Sequence, residues 1–242
     1  MMNRTIANYD FSGKNALVLG GSKGIGFGVV SKLHKCGANV FYLSRTPNSQ
    51  CIGTHIRVDL NDQNSLSPIL EKIENLNVDI LVNCGAVNFA KRHNEIDINE
   101  WEEVFKINVS SIFLVCNAVL KHMKSNNYGK VVNVSSIAGK HRSIVSGIHY
   151  VSSKAALIGF TRQLSYEVGK HNINVNAVCP SQTRTEMYAA TMTPEKEDEL
   201  LRGIPLARVA TIEDQVEPIM FLCSDSASYI AGAVVDVNGG QI

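Results

Sequence analysis

The chain has 242 residues, a formal net charge of +1 and 45% hydrophobic residues, which suits one domain with a substantial core. No Lys/Arg-rich run gives nucleic-acid binding an electrostatic footing. No apolar run approaches the ~18 residues of a transmembrane helix, so no membrane partner is expected.

Residues 1–11 are polar and lack an apolar stretch of signal-peptide length, so cytoplasmic residence is expected. Asn15-Ala16-Leu17-Val18-Leu19, ending in Gly20-Gly21, has the pattern of a buried parallel strand. A helical pattern follows, with Ile25, Val29, Val30 and Leu33 on one face and Gly37 as its stop. The run 39–43 is a second strand. Residues 55–58 give a third strand, 65–76 a helix with Pro68 in its first turn, and 79–82 a fourth strand. One long helix is predicted over 100–123, a strand over 130–134, a helix over 150–169 and a strand over 174–178. A helix over 212–223 and a strand over 233–237 close the chain. This alternation predicts an α/β fold: one domain, residues 1–242, with a doubly wound parallel seven-stranded sheet and helices on both faces. Residues 181–208 fall outside the alternation, broken at Thr193-Pro194 and Ile204-Pro205. A segment that long in a compact domain is functional or mobile.

Three groups of residues carry chemistry. Gly20-Gly21-Ser22-Lys23-Gly24-Ile25-Gly26 joins the first strand to the first helix. Glycines there let the backbone approach a pyrophosphate, and the helix N-terminus offers free amides. The second strand ends in Ser44-Arg45 with no acid to bind ribose hydroxyls, so Arg45 and Lys23 favour a 2′-phosphate, hence NADP(H) over NAD. Tyr150 and Lys154 lie four apart on a helix, one above the other, where a nearby ammonium lowers the pKa of a phenol. The six cysteines show no Cys-x-x-Cys pair and the seven histidines no ligand spacing. Reduced thiols and no metal site are expected.

Together these residues resemble the short-chain dehydrogenase/reductase family, over roughly residues 10–240. The family's Thr-Gly-x-x-x-Gly-x-Gly loop is matched at Gly20, Gly24 and Gly26, with Leu19 in place of the Thr. Asp59, before Leu60, matches the adenine-binding acid. The family's Asn-Asn-Ala-Gly reads Asn83-Cys84-Gly85-Ala86 here, with the Gly one place early, and Asn83 is expected to keep its structural role beside the coenzyme. Asn108, Ser136, Tyr150 and Lys154 match the catalytic set. Ser136 stands 14 residues before Tyr150, one more than is common, which points to an insertion over 140–149. Pro180-Ser181 replaces Pro-Gly, and Thr183 and Thr185 fall in the nicotinamide-binding stretch.

The resemblance implies reversible hydride transfer between NADP(H) and a small-molecule carbonyl or alcohol. Tyr150 acts as proton donor and Ser136 orients the oxygen. Lys154 holds the ribose and tunes Tyr150, and Asn108 holds a water that relays protons to Lys154. Residues 181–208 are expected to cover the substrate, with Met187 and His149 as contacts and Ile144, Val145 and Ile148 adding apolar surface. A 3-oxoacyl thioester or similar apolar ketone is the first substrate expectation. A sugar, polyol or diketone is the second. A non-catalytic NADP-binding regulator is the alternative class, and a structural protein would leave the motifs unexplained. Relatives are commonly tetramers, so a homotetramer or homodimer is expected.

Overall fold

Among the described residues of the computed structural model, 7–189 and 192–242, seven apolar runs form seven strands. They are β1 (Asn15–Leu19), β2 (Asn39–Ser44), β3 (Thr54–Arg57), β4 (Ile80–Asn83), β5 (Gly129–Val134), β6 (Ile173–Pro180) and β7 (Val234–Val237). All pair in parallel, in the order β3-β2-β1-β4-β5-β6-β7. After β3 the chain crosses to the far side of β1. The order therefore reverses between β1 and β4, and a crevice opens there at the carboxyl edge.

Side chains alternate between the faces of the sheet. Leu17, Leu19, Leu81, Val131 and Val175 point to one face, covered by α2 (Gln63–Glu74), α4 (Ser111–Asn126) and α5 (Ile148–Val168). Ala16, Val18, Ile80, Val82 and Val132 point to the other, covered by α1 (Gly24–Lys35) and α8 (Ile212–Cys223). Both faces are dry, which is why these strands are apolar at almost every position.

The structure departs from the expected elements in three places. The long fourth helix is not uniform. α3 (Ile98–Phe105) and α4 are joined by a π-helical turn, Lys106–Ser110, which carries Asn108. The whole run, Ile98–Asn126, is long and apolar enough by composition to cross a membrane, contrary to expectation; 56% of its most apolar window is buried in the protein, as in a core helix. Pro68 sits sixth in α2 rather than in the first turn, because Asp62 caps the helix two residues earlier by accepting from Asn64 N at 2.9 Å. Thr193-Pro194 is not a break but a helix start. Thr193 caps α7 (Pro194–Arg202), and proline is pre-organised for the first helical position. Together with the short α6 (Glu186–Ala189), α7 gives the segment after β6 its own apolar cluster of Leu200, Ile204 and Val209.

Candidate active site

The carboxyl ends of the strands surround one cleft of about 1370 Å³. Its first wall is the turn from β1 to α1. Gly20 has φ +78°, and a Cβ there would lie 2.6 Å from Gly85 Cα. The early glycine of the Asn83-Cys84-Gly85-Ala86 segment thus gives the loop after β4 room against the turn. A Cβ on Gly26 would lie 2.2 Å from the Gly20 carbonyl oxygen, so the helix can begin here only without a side chain. Lys23 caps α1 without any side-chain hydrogen bond, and the first turn holds no acid. The helix therefore presents free N–H groups and its positive end.

The residues expected to hold a dinucleotide line this cleft. Ser22, Lys23, Gly24 and Ile25 border one side, and Ser44, Arg45, Asp59 and Leu60 lie beyond β2 and β3. Lys23 and Arg45 are exposed, and neither forms an ion pair with an acid among the described residues. The Asn48 amide nitrogen donates to the Ser22 carbonyl at 2.7 Å and ties the loop bearing Arg45 to the glycine turn. Sequence reasoning missed Asn48. Pro180, Thr183 and Thr185 close the opposite wall. A Cβ on Gly24 would lie 3.2 Å from Thr185 Cγ2, so the start of the last segment reaches over the turn. A narrow glycine cradle, an uncapped helix end and two unpaired cations fit a phosphorylated dinucleotide.

Deeper in the cleft, β5 and α5 bring Ser136, Tyr150 and Lys154 together. Ser135 and Ser136 differ in their bonds. The Ser135 hydroxyl donates to the Lys154 carbonyl at 2.8 Å and is buried. Ser136 accepts from Ala138 N at 3.1 Å and stands near enough to the Tyr150 phenol to favour its ionised form. A Cβ on Gly139 would lie 2.6 Å from Lys154 C, so the turn after β5 lies flat on the α5 backbone. The Lys154 ammonium is buried and donates to the Val134 carbonyl at 2.8 Å.

The charges depart from expectation. Burial pushes the Tyr150 phenol up to about 12, and the neighbouring Ser136 hydroxyl only opposes that rise. Burial also brings Lys154 down to about 8. The Lys154 nitrogen lies 5.6 Å from the Tyr150 ring centre. In the protein alone, desolvation outweighs any lowering of the phenol by Lys154. Tyr150 therefore holds its proton throughout the neutral range.

Three expected site residues stand elsewhere. His149 is fully buried, bonded to Glu100 Oε1 at 3.1 Å, and does not line the cleft. Asn83 lies beneath the cleft floor; its amide donates to Asn133 Oδ1 at 2.7 Å, and Asn133 in turn to Thr161 on α5 at 2.9 Å. Buried amides must find partners, and this chain of bonds ties β4 and β5 to α5. Asn108 is also buried. Its oxygen accepts from Val87 N at 2.8 Å, and its amide donates to Val87 O and to Ser153 Oγ, both at 3.0 Å. Both amide hydrogens are taken, so the side chain donates to no relay water. The Met187 side chain lies outside the described residues. Ile144 and Val145 line the cleft, whereas Ile148 is exposed outside it. Cys84, at the end of β4, lines it too, and so does Arg142, which was unforeseen.

A family model described as enoyl-(acyl carrier protein) reductase matches residues 20–241. The chain is 34% identical over 243 residues to the 3-oxoacyl-[acyl-carrier-protein] reductase FabG of Aquifex aeolicus, covering 95% of this chain and 97% of that protein. A solved structure from Beutenbergia cavernae, provisionally described as an NAD(P)-dependent gluconate 5-dehydrogenase with bound NADP, superposes with a TM-score of 0.91. It is 28% identical and covers 97% of this chain and 99% of that one. The 3-oxoacyl-[acyl-carrier protein] reductase of Brucella melitensis gives a TM-score of 0.89 at 26% identity, covering 99% and 97%.

Proposed function

The chain belongs to the short-chain dehydrogenase/reductase family, and from that premise we propose that it is an NADPH-dependent reductase that turns a carbonyl into an alcohol, reversibly. The carrying observation is that Ser136 and Tyr150 face the same cleft that the glycine turn opens. NADPH, when bound, supplies the hydride. The glycine turn and the α1 N-terminus hold its phosphates, with Arg45 and Lys23 on the 2′-phosphate. Asp59 and Leu60 border the adenine, and Pro180, Thr183 and Thr185 border the nicotinamide.

Ser136 orients the carbonyl oxygen and Tyr150 donates its proton as charge builds there. A phenol at about 12 keeps that proton until the oxygen needs it. Lys154 lies behind Tyr150, its ammonium anchored on Val134, and holds the ribose hydroxyls. Asn108 acts at one remove. It pins Val87 in the cleft wall and Ser153 on α5, setting the loop after β4 against the catalytic helix.

For the substrate, a 3-oxoacyl thioester is the first reading, supported by the names of the relatives from Aquifex and Brucella. A sugar, polyol or diketone is the second, and the Beutenbergia structure's description supports the sugar side of it. Residues 181–208 cover the substrate, with Tyr188 and Met192 in the lining. The protein works in the cytoplasm as a homotetramer or homodimer. Exposed Phe113 on α4 and Tyr166 on α5 supply apolar surface for pairing.

The test is NADPH and NADH oxidation over acyl thioesters, ketoses, keto sugar acids and diketones. NADPH should win. Arg45→Ala should raise KM for NADPH about tenfold or more and leave NADH nearly unchanged, since a charge-assisted phosphate bond contributes roughly 1.5–3 kcal/mol. A clear NADH preference refutes the roles given to Lys23 and Arg45. No oxidation of either across the panel favours the non-catalytic regulator.

A further inference from the structure

His149 directly precedes Tyr150, yet its ring turns away from the cleft. The first N–H groups of any helix need partners from outside the helix, and a Ser, Thr, Asp or Asn at the cap usually supplies one. In α5 the cap is Gly147, and no cap side chain does so. Instead His149 Nδ1 accepts the main-chain N–H of Tyr150 at 2.9 Å. That bond fixes the tautomer. The ring proton sits on Nε2, which donates to Glu100 Oε1 at 3.1 Å. The other Glu100 oxygen accepts from the Lys91 ammonium.

The ring is held from a third side. It packs against Phe89 with ring centres 6.1 Å apart, and the Phe89 carbonyl accepts from Gly147 N at 3.2 Å. A Cβ on Gly147 would lie 2.4 Å from His149 Cε1 and 2.7 Å from the Phe89 oxygen. The cap is glycine because the imidazole folds back over it. One buried ring thus joins α3, the loop after β4 and the first turn of α5, and Phe89 in that loop also lines the cleft.

We propose that His149 is a positioning residue for the carbonyl reduction: the line Lys91–Glu100–His149 locks the main chain of Tyr150 and so sets its phenol against Ser136. The proposal rests on the reading of Tyr150 as the proton donor. The charged and titratable groups facing the ring are Glu100 from α3, Lys91 behind it from the loop after β4, and Tyr150 on α5 itself. The Lys91 ammonium foremost, then His149, holds the Glu100 carboxyl below the usual carboxylate range, so Glu100 stays an acceptor.

The experiment compares His149→Leu, His149→Asn and Tyr150→Phe in one NADPH assay, with coenzyme binding by fluorescence. The Asn side-chain oxygen occupies the place of Nδ1 and can accept the same main-chain N–H. His149→Leu should lose at least about tenfold in kcat, a loss typical of misplaced catalytic groups, with the Kd for NADPH unchanged. His149→Asn should recover most of kcat. If Tyr150→Phe is fully active, the functional reading fails instead. If Tyr150→Phe is dead while His149→Leu matches the wild type, the positioning role is refuted. A His149→Asn enzyme that binds NADPH as the wild type does yet is as inactive as Tyr150→Phe refutes it also, and that outcome is readable even if His149→Leu does not fold.

Discussion

Two helices begin at the edge of the same cleft, and they treat their N-termini in opposite ways. α1 leaves its first amides open: its cap is Lys23, no side chain accepts from them, and the first turn holds no acid. α5 closes one of its own amides with the His149 ring. An open end attracts an anion from outside, whereas a closed end holds its own side chains still. The first suits a site that must admit and release a coenzyme. The second suits one that must place a phenol to a fraction of an ångström. The sequence marks the first with glycines, and it marks the second with a glycine too, at Gly147, for a different reason.

The sharpest way to test the closed end is Tyr150→Phe. It removes the proton donor and leaves the open end intact. We expect kcat to fall by about 10²–10⁴-fold, the usual contribution of general acid catalysis, with NADPH binding by fluorescence nearly unchanged. Full turnover would remove Tyr150 from the chemistry.

The open end is broken by Gly26→Ala. The new methyl collides with the Gly20 carbonyl at 2.2 Å and forces the turn apart. The Kd for NADPH should rise at least about tenfold, roughly 1.4 kcal/mol, while bound enzyme at saturation keeps much of its kcat. Unchanged coenzyme binding would show that the turn does not cradle the phosphates.

How much of this was legible depends on what each residue faces. β1 and α8 were readable to the residue, because dry faces leave nothing but apolar runs bounded by glycine or a polar cap. The glycine turn, Arg45, Ser136, Tyr150 and Lys154 were legible because their chemistry is local in the chain. His149, Asn83 and Asn108 were not. Each finds its partners across the fold, at Glu100, Asn133 and Val87, and nothing in the sequence near them tells inward from outward. The tuning of Tyr150 was misjudged for the same reason. Spacing shows that Lys154 is near, but burial, which raises the phenol, depends on the tertiary structure.

The smallest expected effect concerns Lys154 and stability. Its pKa falls from 10.5 to about 8 on burial, so the unfolded chain holds the proton more tightly than the folded one. Stability should therefore rise with pH through that window, as the penalty for burying the ammonium disappears. Relative to Lys154→Met, the coenzyme-free wild type should gain roughly 2–3 kcal/mol between about pH 7 and about pH 10 in urea unfolding. A pH-independent difference would mean that the folded protein does not depress Lys154.

The Ser135 bond to the Lys154 carbonyl and the flat seat of Gly139 on α5 have a wider consequence. They bolt the end of β5 to the catalytic helix without involving the intervening stretch, residues 140–146. The distance from Ser136 to Tyr150 is thus set through space and not along the chain. The extra residue between them, which looks like a disturbance in the sequence, costs the chemistry nothing. That stretch is free to lengthen, shorten or change its side chains over evolutionary time, and with Ile144 and Val145 in the cleft wall it can retune what enters while the proton donor stays where it is.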